Sequence, residues 1–161
     1  MLKSPRSKVK LEHLYEFPGH LIRRAHQISG AMFDRHLGEF DLTAVQYMAM
    51  VAIGSNPAID ATRLSDMIVF DRATIGGVID RLESKGLVAR TPSVTDRRSK
   101  GLSLSEKGYE LLDKVESRVV KVQEDILKPL PATERRQLVA LLKKLVGLHA
   151  ESGVTQRSGT V

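Results

Sequence analysis

The chain has 161 residues, 42% of them hydrophobic, and a formal net charge of +6. That length suits one domain, or a domain with dimerisation arms, and the basic balance permits an acidic partner such as nucleic acid without requiring one. Cysteine is absent, which excludes disulfides, thiolate metal sites and thiol redox sensing. No apolar run approaches the roughly 18 residues needed to cross a membrane.

Residues 1–14 open with MLKSPRSKVK, which carries charge but no apolar core, so a flexible basic arm is expected rather than a secretory signal, and a cytoplasmic location with it. Leu14, Tyr15 and Phe17 could form an apolar clasp before the first long helix, residues 18–37. Pro18 suits its first position, where a missing N–H costs nothing. Leu21, Ala25, Ile28 and Met32 would form its core stripe, and Gly38 would close it. Residues 42–54 predict a second, almost wholly apolar helix, capped by Thr43 and buried on most sides.

After the break at Gly54 to Pro57, Asp60 is a good N-cap for a short helix with Leu64, Met67 and Ile68 on its apolar face. Asp71 caps the next helix. There Ile75, Val78, Ile79 and Leu82 recur at helical spacing, while Arg72, Ala73, Gly76, Gly77, Asp80, Arg81 and Ser84 fall opposite. Gly86 ends this helix in the left-handed conformation glycine tolerates. LVAR reads as a strand, Pro92 to Asp96 as a turn and Lys100 to Leu104 as the returning strand, with the basic residues gathered at its tip. Ser105 then caps a long helix with a narrow seam of Leu111, Leu112, Val115, Val119, Val122 and Ile126, which Pro129 and Pro131 stop. A last helix carries Leu138, Leu141, Leu142, Leu145 and Leu148 on one side, before a polar tail, residues 150–161, expected to be disordered. Neither terminal helix can bury its stripe alone, so both ends are expected to build a homodimer.

Catalytic and metal-binding patterns are missing. His13, His20, His26, His36 and His149 form no His-x-x-x-His pair, and there is no Gly-x-Ser-x-Gly, P-loop or Gly-x-Gly-x-x-Gly. No enzyme activity, metal or cofactor is therefore expected. A helix-turn-helix followed by a basic hairpin is instead a DNA-binding arrangement, with one helix in the major groove and the hairpin on the backbone or minor groove.

Three stretches strengthen this reading: DRATIGGVIDRLESKGLVAR, TDRRSKGLSLSEKG and LTAVQYMAMVAI. In that order they resemble the recognition helix and first wing strand, the wing signature and the preceding helix of the MarR family of bacterial regulators. The resemblance spans residues 15–149. It implies a mainly α fold with a small β-hairpin wing: a winged helix-turn-helix at 42–104, with dimerisation helices at 15–40 and 105–149. It also implies a twofold dimer on a palindromic operator of double-stranded DNA. Half-sites would lie one helical turn apart, roughly 34 Å. Relatives that sense peroxide through cysteine have no counterpart here.

On this reading Arg72 and Thr74 would meet bases and phosphates from the first turn of the recognition helix. Ser65 would bond a phosphate or face solvent. Arg81 would reach DNA or pair with Asp96. Arg98 falls on the Arg of the family's Asp-x-Arg signature, oriented by Asp96, and Arg97 and Lys100 would meet phosphates. Ala73, Gly76 and Gly77 stand where the family often has larger or polar residues. Two adjacent glycines cost a helix about 1 kcal/mol each relative to alanine. Either the bare face lets the backbone approach DNA, or it packs closely on another helix. Members of the family often release DNA when a small aromatic acid binds, which points to a repressor of aromatic-acid catabolism. Phe17, His20, Arg24, Tyr47 and Met50 would supply an apolar slot with a cation for such a carboxylate. They could equally be an ordinary helix interface. The alternative function is a winged-helix protein-interaction or assembly module. Against it, Arg97 and Arg98 make a polar hairpin tip, where a protein-binding wing would expose apolar residues.

Overall fold

The computed structural model describes residues 11–92 and 100–151. Asp96, Arg97 and Arg98, residues 1–10 of the expected arm and residues 152–161 of the tail lie outside the described residues, as does the side chain of Lys100. The order is α1 (Leu11–Leu14), α2 (Pro18–Leu37), a 3-10 turn (Gly38–Phe40), α3 (Ala44–Ser55), α4 (Ala61–Met67), α5 (Arg72–Ser84), β1 (Val88–Pro92), β2 (Lys100–Leu104), α6 (Glu106–Leu127) and α7 (Ala132–Glu151). The expected mainly α winged fold is therefore present. Helix α1 falls inside the segment expected to be an arm, and adds a seventh helix to the six anticipated.

Four predicted caps form. Thr43 accepts from the Gln46 N–H while the Gln46 side chain accepts from the Thr43 N–H, a complete capping box. Asp60 accepts from the Arg63 N–H, Asp71 from the Thr74 N–H and Ser105 from the Gly108 N–H. Gly86 has φ +70° and closes α5 in a Schellman arrangement: its N–H donates to the Glu83 carbonyl and that of Leu87 to the Leu82 carbonyl. Gly38 does not close α2 in this way. It stays right-handed, the chain continues into the 3-10 turn, and Asp41 takes the left-handed position with φ 49°.

The two strands pair antiparallel from Val88 with Leu104 to Pro92 with Lys100. Ile59 adds a bridge on the other side of β2: the Leu102 N–H donates to the Ile59 carbonyl, and the Leu102 carbonyl accepts from the Ala58 N–H. The loop before α4 is thus pinned to the hairpin, which fixes wing and helix-turn-helix as one unit. Leu37, Met50, Ile53, Leu64, Ile79, Leu82, Val115 and Val122 fill the centre of the core.

The expected α2 core stripe and the apolar clasp before it are not buried within the protomer. Leu21 and Ile28 of the supposed α2 core stripe are exposed, and the helix instead buries Phe33 and Leu37. Among the described residues its C-terminal half meets the protomer, where His36 pairs with Asp125, and Glu39 of the 3-10 turn that follows pairs with Arg118. Leu14, Tyr15 and Phe17 are exposed too, so the apolar clasp is open. All five leucines of the α7 stripe are exposed as well, as expected of a stripe that one protomer cannot bury. The sequence makes these stripes apolar, but the described residues of the protomer leave them uncovered. Met67, placed on the inner face of α4, is also exposed, touching the Asn56 side-chain amide through sulfur, so that of the three apolar residues expected there Leu64 is the fully buried one.

Candidate nucleic-acid interface

Helix α5 is held from behind by Ile75, Val78, Ile79 and Leu82, all buried. This anchorage turns Arg72, Ala73, Thr74, Gly76, Gly77, Asp80, Arg81 and Ser84 outward. A Cβ built on Gly76 or Gly77 meets nothing within 4 Å among the described residues. Close packing within the protomer therefore does not explain the glycines. They leave a helix face on which a ligand could approach the backbone itself.

The charged groups on this face are already organised. Arg72, at the start of α5, grips Asp66 of α4 with a forked guanidinium: Nη2 lies 2.8 and 2.9 Å from the two carboxylate oxygens, and Nε 3.2 Å from Oδ1. Both side chains are more than half exposed, so the pair orients Arg72 more than it stabilises the fold. Thr74 is exposed, and its hydroxyl donates to the Asp71 carbonyl. Arg81 is exposed and makes no ion pair with a described residue. Ser65 does not belong to the interface. It is completely buried, and its hydroxyl donates to the Thr62 carbonyl at 2.8 Å, where no phosphate could reach it.

Sequence reasoning overlooked Arg90 on β1. Its guanidinium pairs with Asp80 at 2.5 Å and Glu83 at 3.2 Å, tying the root of the hairpin to α5. The visible signal was two carboxylates three apart at the end of α5, followed by an arginine just beyond the glycine turn.

The five candidate effector residues do not converge within one protomer. Phe17 and Arg24 are exposed, and half-buried His20 stands edge-on to Tyr15 at 5.5 Å. Tyr47 packs on Phe33, ring centroids 6.1 Å apart. His20 lies thirteen residues before Phe33, about 20 Å along a straight helix. Met50 is wholly buried in the core and is unavailable to a ligand. A cleft of about 370 Å³ lies elsewhere, against Phe40, Lys85, Leu87, Leu111 and Lys114.

At the junction of α2 and α6, the imidazole Nε2 of His36 lies 2.9 Å from Asp125 Oδ2. This hydrogen bond, followed by the positive charge of Lys121, holds the Asp125 carboxyl below its ordinary value. Among the described residues, no His, Asp and Glu group suits a metal ion and no helix is long and apolar enough to cross a membrane.

A helix-turn-helix whose second helix presents an open outer face, braced by an antiparallel hairpin, defines a winged-helix DNA-binding regulator. Residues 42–100 match the MarR family model. The HTH-type transcriptional repressor NicR of Pseudomonas putida is 30% identical over 135 residues, covering 84% of this chain and 85% of that protein. The chain belongs to the MarR family of transcriptional regulators. Among solved structures, Bordetella bronchiseptica BpsR, whose DNA binding is regulated by 6-hydroxynicotinic acid, is 30% identical, with a TM-score of 0.77 over 82% of this chain and 94% of that one. The transcriptional repressor CouR, solved on a 23-mer DNA duplex, is 28% identical, with a TM-score of 0.77 over 87% of this chain and 99% of that one.

Proposed function

We propose that this regulator is a homodimeric, cytoplasmic repressor that binds a palindromic operator through α5 and its wing and leaves it when an aromatic carboxylate binds. The observation that carries the DNA half is the open outer face of α5 at Gly76 and Gly77. The exposed leucines of α7 and the bare N-terminal half of α2 support the dimer, because a second copy would cover both. Arg72 and Thr74 would contact the groove, Ala73, Gly76 and Gly77 would let the helix backbone close on it, and Arg81 would lie further along. Arg97, Arg98 and Lys100 would meet phosphates, with Asp96 orienting Arg98.

The effector half draws on BpsR, regulated by 6-hydroxynicotinic acid, an aromatic acid. Here Phe17, His20 and Arg24 would hold such a ligand at the exposed end of α2, with the remaining wall supplied by the second subunit. A ligand there shifts the dimer only through unequal affinity for its two wing spacings, and a hundredfold preference is worth about 2.7 kcal/mol. To test this, a duplex selected from a random library is titrated with benzoate, salicylate, nicotinate and 6-hydroxynicotinate. Release by at least one acid, weakened in Arg24→Ala, is expected. A complex that survives millimolar concentrations of all four would exclude the aromatic-acid class.

A further inference from the structure

The described charges on and beside the outer face of α5 carry no net positive charge. Arg72 is matched by Asp66, and the remaining described charges along the helix are Arg81, Asp80 and Glu83. Asp80 lies four residues after Gly76 and three after Gly77, on the same stripe that the glycines leave bare. A duplex seated on the glycines would bring its phosphates towards that carboxylate.

Arg90 answers this from the neighbouring strand. It stands opposite Leu102 in the hairpin, and buried Leu102 is bridged in turn to Ile59, so β1 is paired with a strand that is itself pinned on its far side. From there Nη2 reaches Asp80 and Nη1 reaches Glu83. The arginine is about one-third exposed, whereas Asp80 is mostly exposed. One cation therefore lies between two carboxylates on the solvent side of the recognition helix, where its contribution to stability is small but its effect on the local field is not.

We propose that Arg90 is a positioning residue for DNA binding: it cancels the charge of Asp80 and Glu83 on the outer face of α5 and holds the wing root against that helix. This rests on the reading that α5 meets the duplex, and the design separates the two. If the unmodified protein binds no selected duplex at all, that reading falls and the proposal with it. If it binds and the variants below do not differ, the proposal alone falls.

The probe is a fluorescein-labelled duplex selected from a random library by the unmodified protein, followed by anisotropy across a salt series, with thermal unfolding of each variant in parallel. Arg90→Gln is expected to bind on the order of tenfold more weakly at low salt, with the deficit shrinking as added salt screens the uncancelled carboxylates. Adding Asp80→Asn and Glu83→Gln to Arg90→Gln should recover most of the affinity, because the charges to be cancelled are gone. The Asp80→Asn/Glu83→Gln pair alone should bind at least as tightly as the parent. Both carboxylates are surface groups, so this pair remains informative if Arg90→Gln fails to fold. Unchanged binding by Arg90→Gln, no recovery in the triple variant, or weaker binding by the carboxylate pair each overturns the proposal.

Discussion

Gly108 and Gly76 are both helical glycines, and the same substitution should act on them with opposite sign. A Cβ at Gly108 would lie 2.3 Å from the Leu87 carbonyl oxygen and 3.3 Å from Leu104 Cδ2. The carbonyl cannot move freely, because it accepts the Ser105 N–H at 3.0 Å at the join between β2 and α6. Parting these groups by about 1 Å costs about 1–3 kcal/mol in overpacking. Weakening the hydrogen bond costs about 1 kcal/mol more, and the better helix propensity of alanine returns at most about 1 kcal/mol. Gly108→Ala should therefore lose about 2 kcal/mol. Gly76→Ala meets no obstacle and should gain up to about 1 kcal/mol. Urea unfolding at one fixed protein concentration measures both, the fixed concentration holding any contribution from association constant. A Gly108→Ala protein as stable as the parent, or a Gly76→Ala protein clearly less stable, would refute the packing described here.

Val69, a β-branched residue in the turn between α4 and α5, has φ 51° and is 69% exposed. Relief of a left-handed conformation worth about 1–2 kcal/mol should outweigh the added chain entropy of glycine, about 0.5–1 kcal/mol, so Val69→Gly should raise Tm. A lowered Tm would mean that the side chain packs where the structure leaves it bare. The depressed Asp125 carboxyl stabilises the folded state fully above its ordinary value of 3.8, and this contribution is lost as pH falls through its lower folded value. Asp125→Asn should accordingly flatten the acid limb of stability against pH, and an unchanged limb below pH 4 would show the His36 bond to be inconsequential.

What the sequence revealed followed the range of each interaction. The caps at Thr43, Asp60, Asp71 and Ser105 and the glycine stop at Gly86 depend on neighbours within four residues, and all five formed. Periodicity identified Leu21 and Ile28 as apolar but could not say whether their own protomer would cover them. Ser65 looked available because serine commonly faces solvent, yet its hydroxyl is satisfied one turn back in its own helix and can be buried at little cost. Met50 was placed at a ligand because α3 is apolar nearly all round, which leaves its inward faces indistinguishable by pattern. Arg90 was missed because its partners meet it only once the hairpin has folded back beside α5.

The bare face of α5 is tested most directly by filling it. Gly76→Leu and Gly77→Leu place a good helix former where the protomer has open space, so each variant should fold and melt at or above the parent's temperature. On a selected duplex, each should lose at least about tenfold in affinity, equivalent to about 1.4 kcal/mol, because a leucine side chain would stand between helix backbone and groove. Folded variants that bind that duplex as tightly as the parent would contradict the assignment of this face to DNA.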